Sequence, residues 1–378
     1  MPAPGLRLTL LAGPTVPVPL PGPFAARLRS VTVSESDDER SAFALTFDAG
    51  RSGPTAALDS PMFSAPIAAF SRVCVVVTFG LLPRVLMDGI VTQIEVQPGD
   101  GPGAATFVAT GEDVTYLLDR EEVDAEHPAM DDLPQVYTIL AKYATKGIVP
   151  KAVPPPTADP PLPTDRIPTQ NDTDLGHLMT LAERHGYVCY ADPGPVPGVS
   201  TVYWGPPVRV GVPQRALSVD LGPESNVTRI GFRQDALGPM FVEGEVQDPA
   251  TGEAMQVRAT ASLHPPLAAL PLWAVQGQNV RRRRFRDSST STVRSLAQAQ
   301  AQVDAASDAV VADGELDGAR YGDVLRPRGL VGVRGAGWSH DGLWYVRRVE
   351  HELAPGSYRQ FFTLAREGYG STVPAVLT

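Results

Sequence analysis

The stretch that decides the fold is "DGLWYVRRVEHELAPGSYRQFFTLAREG", Asp341 to Gly368. Apolar and polar residues alternate on both sides of Pro355-Gly356, a pair suited to a tight turn, so the stretch reads as a β-hairpin. A second stretch, "DGIVTQIEVQPGDGPGAATFVATG" (Asp88 to Gly111), follows the same plan. It opens on Asp-Gly, alternates, breaks at Pro98-Gly99, runs again and closes on glycine. Each is preceded by an apolar run, "VVVTFG" (Val75–Gly80) and "GLVGVRG" (Gly329–Gly335). The repeated unit is a strand, a loop and a hairpin, and it points to an internal duplication. Asp-Gly and Pro-Gly are common turn pairs, so either hairpin alone is a weak signal.

A chain of 378 residues suggests two or three domains at about 150 residues each. Its 35 glycines and 38 prolines suit short strands and many turns better than long helices. The net charge of -10 argues against a generic nucleic-acid binder. Two cysteines, Cys74 and Cys189, lie in apolar runs and are too few for a disulfide framework, which makes a reducing compartment the default. Whether they pair is left open. No apolar run approaches the ~20 residues that span a bilayer. Pro14, Pro17, Pro19, Pro21 and Pro23 interrupt the opening segment, which reads as an extended arm and not a signal peptide.

After the arm, Val31 and Val33, then Phe43, Leu45 and Phe47, alternate as strands, and "RVCVVVTFG" is a buried strand. With the first hairpin this predicts a small antiparallel barrel or sandwich. The character changes at "LPQVYTILAKYATKG", where Val136, Ile139, Leu140 and Tyr143 share a helical face and Gly147 is the stop. A proline-rich connector, 149–168, reads as a stiff exposed spacer. In "NDTDLGHLMTLAERHGYVCYAD", Asn171 to Asp174 supply caps and negative charge. Leu175, Leu178, Met179 and Ala182 form the apolar stripe, Gly186 ends the helix, and "YVCYA" leaves as a strand. Strands return from Val202 to Val257. A helix is predicted over "SSTSTVRSLAQAQAQVDAASDAVVAD", with Leu296, Val303 and Val310 recurring every seven residues. The remainder is again strand.

A search for chemistry finds structural readings throughout. "GDGPG" (Gly99–Gly103) joins strands and does not open a helix, so it is a turn and not a phosphate loop. His177 and His185 lie eight apart, without the spacing that puts two imidazoles on one metal. Ser339, His340 and Asp341 are consecutive on a loop and cannot converge as a catalytic triad. The acidic run "DREEVDAEH" (Asp119–His127) reads as a solvated linker. No catalytic or metal-binding residue and no cofactor is expected. The least ordinary stretch is "RRRRFR", Arg281, Arg282, Arg283, Arg284 and Arg286 around Phe285. Three readings stand for it: a solvated loop, a contact with carboxylates of a neighbouring subunit, or a phosphate grip.

The helix segment resembles a motif of the baseplate hub proteins of contractile phage tails and injection systems, the late-control-D family. It is similar also to the hub part of type VI secretion spikes. Asn171, Asp172, Thr173, Asp174, Leu178, Leu181, Ala182, Gly186 and Tyr187 fall on that motif, and "VYWGPP" (Val202–Pro207) and the two hairpins match the family's habits. The resemblance covers most of the chain. It implies a mainly β fold with α+β insertions: two tube-like antiparallel β-barrels per chain in a trimeric, pseudo-sixfold ring. On that reading 1–25 is the arm, 26–120 the first barrel and 121–204 a peripheral α/β domain. Residues 205–234 and 315–368 form the second barrel around an insert at 235–314, and 369–378 is a tail. The implied function is structural and non-enzymatic, joining a hexameric tail tube to a trimeric spike. The partners implied are a homotrimer, the tube protein, a separate spike protein (since the sequence stops soon after Gly368) and other baseplate components, with no membrane and no nucleic acid. Assembly would occur in the cytoplasm, within a phage virion or contractile injection particle. Trp344, Tyr345 and Phe361 are candidate packing or contact residues, and Arg281 to Arg284 candidate subunit contacts. The alternatives are a tail-associated cell-wall-binding or cell-wall-degrading module, and a tube or tube-cap protein with one barrel per chain.

Overall fold

The computed structural model describes residues 5–14, 16–50, 60–99, 104–156, 167–247, 252–286, 292–373 and 376. Residues 100–103 of the glycine-rich turn, 157–166 of the proline connector and 287–291 ahead of the long helix lie outside them. The first part of the chain carries β1 (Leu6–Gly13), β2 (Val18–Pro19), the one-turn α1 (Gly22–Ala25), β3 (Leu28–Ser36), β4 (Ala42–Asp48), β5 (Arg72–Phe79), β6 (Leu82–Gln97) and β7 (Thr106–Asp113). An α/β unit follows: β8 (Glu122–Glu126), α2 (Asp132–Ala141), β9 (Ile148–Ala152), β10 (Thr169–Thr173), α3 (Asp174–His185), β11 (Val188–Pro193) and β12 (Ser200–Gly205). β13 (Gln214–Ser218) and β14 (Val227–Gln234) begin the second part. An insertion then holds β15 (Met240–Gln247), β16 (Ala254–Ala259), β17 (Ala268–Pro271), α4 (Leu272–Gln276), β18 (Arg281–Arg284) and α5 (Thr292–Ala305). β19 (Val310–Asp317), α6 (Gly318–Tyr321), β20 (Leu330–Arg334), β21 (Gly342–Ala354), β22 (Ser357–Arg366) and β23 (Gly368–Ser371) complete it.

Thirteen strands form one sheet, ordered β14-β19-β22-β21-β3-β4-β7-β6-β5-β1-β2, with β20 and β13 branching from β21. Apart from the two-residue β2, each half of the chain contributes six strands to it. In chain order these are β1, β3, β4, β5, β6 and β7, then β13, β14, β19, β20, β21 and β22. Counted within its own half, the spatial order is second, third, sixth, fifth, fourth, first in both cases. The two hairpins, β6–β7 and β21–β22, therefore occupy the same place in two copies of one topology. Both also carry a register shift in their first strand, between Val91 and Gln93 and between Val346 and Arg348. A single departure marks the end of the series: β1 runs antiparallel to β5, whereas β13 runs parallel to β20. The halves join because β21 is long enough to serve two neighbours. Gly342–Tyr345 pairs with β20, and Arg348–Leu353 pairs with β3. Among the described residues the sheet is an open path, and hydrogen bonding closes neither half into the cylinder that the resemblance implies.

Alternation dictates the cores. Val31, Val33, Phe43, Leu45, Phe47, Phe107 and Ala109 face inward in the first half, and Ala312, Leu316, Trp344, Val346, Val349, Phe362 and Leu364 in the second. A third core holds α2 and α3 against β11 and β12, around Trp204. Several local readings change. The opening segment is not a free arm, since Leu6, Leu8 and Leu10 have strand periodicity and no proline falls between Gly5 and Gly13; β1 pairs with β5 along its whole length. Asp88-Gly89 is not a turn but lies inside β6, where Gly89 is required by close packing: a Cβ there would stand 2.4 Å from Glu112 O and 2.8 Å from the Phe43 ring. The acidic run forms the exposed strand β8, and Pro150 sits in β9, which is an edge strand and so tolerates it. The long helix ends at Ala305, and β-branched Val310 and Val311 open β19 instead.

Candidate assembly interface

The motif helix owes its ends to the residues that define the motif. Thr173 caps α3, its Oγ1 accepting from Gly176 N at 3.1 Å and donating to Asp119 Oδ1 at 2.7 Å. Asp174 is buried in the first turn and is held there by Lys142 Nζ (3.2 Å), Tyr143 OH (2.9 Å) and Gln170 Nε2 (2.8 Å). Asp172 accepts from Thr173 N at 2.7 Å, and Asn171 pairs across to Asp124 in β8. Leu178, Leu181 and Ala182 enter the third core. Gly186 takes the left-handed φ of 64° that ends the helix, and a Cβ there would meet Ala301 of α5 at 3.0 Å. The Tyr187 ring packs edge-on to Trp204, with centroids 5.0 Å apart. These are capping and packing roles. The two histidines of α3 have equally structural partners: His177 meets Gln135 at 3.0 Å and stacks on His127, while His185 meets Asp132 at 2.9 Å.

Two buried arginines, neither flagged by the sequence, fasten the α/β unit to the sheet. Arg72 grips Asp88 with Nε–Oδ1 and Nη2–Oδ2 distances of 2.7 Å, and its Nη1 donates to Lys146 O at 2.8 Å. Ser200 Oγ completes Asp88 at 2.8 Å. Arg328, just before β20, donates to Ser36 O, Ala191 O (2.9 Å), Asp192 Oδ1 (3.1 Å) and Ser41 Oγ (3.0 Å), and lies 4.0 Å from the centroid of the Tyr190 ring. One side chain thus ties both halves to β11. Cys74 and Cys189 are free thiols, and burial raises both, Cys189 to about 12.

The other face of the sheet meets water across both halves. Register places Arg229, Glu315, Phe361, Glu350, Ser34 and Ala42 in one row across the strands β14 to β4, and Thr110 and Gln93 continue that face through β7 and β6. In the second half it is ladder-like in charge: Arg229 to Glu315 at 3.2 Å, Glu315 to Arg359 at 3.8 Å, and Arg359 to Glu352 at 2.8 Å. Phe361 lies within this face, half-buried under Arg359. Trp344 and Tyr345 are not on it. They are 0% and 1% exposed, which corrects the contact reading for both and leaves them as packing residues of this chain. Both sides of β21 are covered there: Trp344 points into the second core, and Tyr345 toward Leu267 and Leu330.

The arginine run forms a strand, not a solvated loop. β18 pairs in parallel with β15, and all four of its residues are exposed. Buried Val280 and Phe285 bracket it, and Gly244 makes room for the Phe285 backbone, since a Cβ would stand 2.7 Å from Phe285 O. Arg283, Arg284 and Arg286 border a cleft of about 1050 Å³ between the sheet, α3 and α5. Inside it Arg209 pairs with Asp308, yet Arg209 Nε and Nη1, Asp308 Oδ1, Tyr345 OH and His264 Nδ1 have no hydrogen-bond partner among the described residues. Burial raises Asp37 at its edge to about 6, with Asp38 and Asp308 adding repulsion against the pull of Arg347.

No protein family's sequence profile matches the chain, and no curated protein matches it. Solved structures do. A tail protein from Neisseria meningitidis MC58 superposes over 96% of this chain and 97% of its own, with TM-score 0.66 at 14% identity. The 43 kDa tail protein of prophage MuSo2 from Shewanella oneidensis gives TM-score 0.66 at 13% identity over 96% of this chain and 99% of that one. An E. coli type VI secretion component, described as similar in structure to the T4 bacteriophage tail proteins gp27 and gp5, gives 0.55 at 12% identity, over 99% and 80% of the two chains. The chain has a baseplate hub-like fold, shared with phage tail proteins and with a type VI secretion component.

Proposed function

We propose that this chain is a non-enzymatic structural hub of a phage tail or contractile injection machine, in which three copies form a ring between a hexameric tube and a trimeric spike. The observation that carries this reading is the repeated strand order: two halves of one topology per chain give a ring of three copies six equivalent β modules. A ring built so presents approximate sixfold geometry to one neighbour and true threefold geometry to the other. Residues 26–120 together with β1 would supply the first module. Residues 205–234 with the closing strands would supply the second, whose return to the sheet begins at Val310. The hydrophilic face crossing both halves suits the wall of a central channel, and the hairpins β6–β7 and β21–β22 suit the rim that meets the tube. The whole-length likeness to tail proteins supports the same reading, as does the structural role of every residue in the α3 motif.

Light scattering on the purified chain, followed by electron microscopy of the particles, tests it. The expected result is a trimer, or a multiple of it, with an axial pore. A stable monomer at micromolar concentration, or a compact particle without a pore, refutes it.

A further inference from the structure

We infer that the arginine strand β18 docks against the acidic strand β8 of a second copy of this chain, so that neighbouring copies are joined edge to edge by opposite charge. The inference rests on the ring reading and names the surfaces that would make it. β18 ends the order β16-β15-β18, and β8 ends the order β10-β8, so each has one edge without a strand neighbour among the described residues. Arg281, Arg282, Arg283 and Arg284 are all exposed, and so are Glu122, Asp124 and Glu126 of β8. Among the described residues none of these seven forms an ion pair within the chain. The two strands lie in different sheets and do not pair with each other.

Strand edges are templates for pairing, and charge normally guards them. Here the guard is one-signed on each strand. β18 cannot pair with β18 of another copy, because arginines would face arginines, and β8 is barred from itself for the same reason. Only β18 against β8 satisfies both. Such a contact joins different patches on the two copies, and where each pair of neighbours makes it once, contacts of that kind close into rings or run on as filaments. The strand is also held in place for the purpose. Val280 and Phe285 anchor its ends, so the backbone that displays the four guanidiniums is already ordered before binding. The net charge of -10 favours an acidic protein edge over nucleic acid as the occupant, because the polyanion would be repelled elsewhere.

The test uses the full chain in sedimentation velocity at low and high salt, with far-ultraviolet circular dichroism as the folding control. Reversal of the basic strand (R281E, R282E, R283E and R284E together) should weaken self-association about 100-fold or more, as loss of several close charge pairs does. Reversal of the acidic strand (E122R, D124R and E126R) should do the same. A chain carrying both sets should assemble again. If either reversal unfolds the chain, R282A and D124A singly and combined give the coupling between the strands, and additive effects overturn the inference. Assembly untouched by either reversal overturns it and leaves the ring reading standing, including where labelled oligonucleotide binds wild type and is lost from the β18 reversal. Dissociation by both single sets without rescue by the combination also overturns it. A wild-type chain that stays monomeric at low salt refutes the ring reading, and this inference falls with it.

Discussion

Replacing Arg328 by methionine keeps the unbranched apolar stem of the side chain and removes the guanidinium with its charge and donors. In the native chain that side chain is 1% exposed and reaches three backbone or hydroxyl acceptors, Ser36 O, Ala191 O and Ser41 Oγ, besides Asp192. Asp192 is 53% exposed, so the ion pair itself is screened and contributes little. The loss comes from the acceptors left dry, at about 1–3 kcal/mol each before water re-enters, and from the guanidinium over Tyr190, about 1 kcal/mol. These terms are not additive, and the range for breaking a buried charged network, about 3–5 kcal/mol, is the better guide. The loss should also grow with pH. Burial pushes the Glu35 carboxyl up, and His351, Arg326 and Arg328 together hold it below its ordinary range; Asp113 is raised by burial, with Thr115, Ser41 and Arg328 opposing. Without Arg328 both acids take up protons more readily in the folded chain, so ionising them at high pH costs folding energy. Urea unfolding of wild type and R328M at pH 5 and pH 8, followed by tryptophan fluorescence, measures this. A loss under about 1 kcal/mol at pH 8, or a loss larger at pH 5 than at pH 8, refutes the fastening role of Arg328.

Three further outcomes follow from single groups. Asp37 is raised from 3.8 to about 6, so the folded chain holds an extra proton between those values; stability falls as pH rises through that window, and D37N should gain up to about 3 kcal/mol at pH 7 with a flatter urea-midpoint profile. His177 is lowered to about 4, chiefly by burial and then by His127, so its neutral form contributes stability that is complete above pH 6.5 and is lost as pH falls toward 4; in H177Q that acid limb should shrink by up to about 3 kcal/mol. G186A forces a side chain into φ 64° and against Ala301 at 3.0 Å, and thermal or urea unfolding should show a loss of about 2 kcal/mol; the φ strain of about 1–2 kcal/mol remains even where α5 shifts, so an unchanged stability refutes the account.

The parts of the fold that the sequence displayed are those governed by local rules. The β21–β22 hairpin shows because Val349 and Leu353 are buried between more exposed neighbours in a run of alternating residues, and Pro355-Gly356 turns the chain at Gly356, φ 79°. Helix α3 shows because its cap, stripe and stop all lie within one short segment. What stayed hidden depends on partners far along the chain. Nothing beside Arg328 announces that Ser36 and Ala191 wait for it, and Asp88 looks like a turn residue until Arg72 and Ser200 are brought to it. Strand β8 was masked by its charge: Glu122, Asp124 and Glu126 suggest a solvated linker, and only pairing with Thr169–Thr173 makes it a strand. The arginine run leaves its form open in the sequence for the same reason, since its strand structure depends on pairing with β15 and on the buried Val280 and Phe285 on either side of it.

The duplication has a consequence for how a sixfold partner could be met. The two halves share strand order and a bulged hairpin, but not surface chemistry. On the water-facing side the first half offers mainly Thr32, Ser34, Ala44, Thr46, Thr110 and Gln93, with Asp48, Glu95 and Glu112 as its acidic groups, whereas the second offers Arg229, Glu315, Arg348, Glu352 and Arg359, with both signs of charge. In the proposed ring the backbone would therefore repeat six times and the charge only three. A partner with six identical contact points cannot match both charge patterns at once, since a group that suits Arg359 finds no counterpart at the Thr and Gln positions. Such docking has to rest on what the halves do share, which is the geometry of the two hairpins and their backbone hydrogen-bonding groups. The charged rows are then free to differ, and the ladder from Arg229 to Glu352 satisfies itself within the chain instead of waiting for a partner.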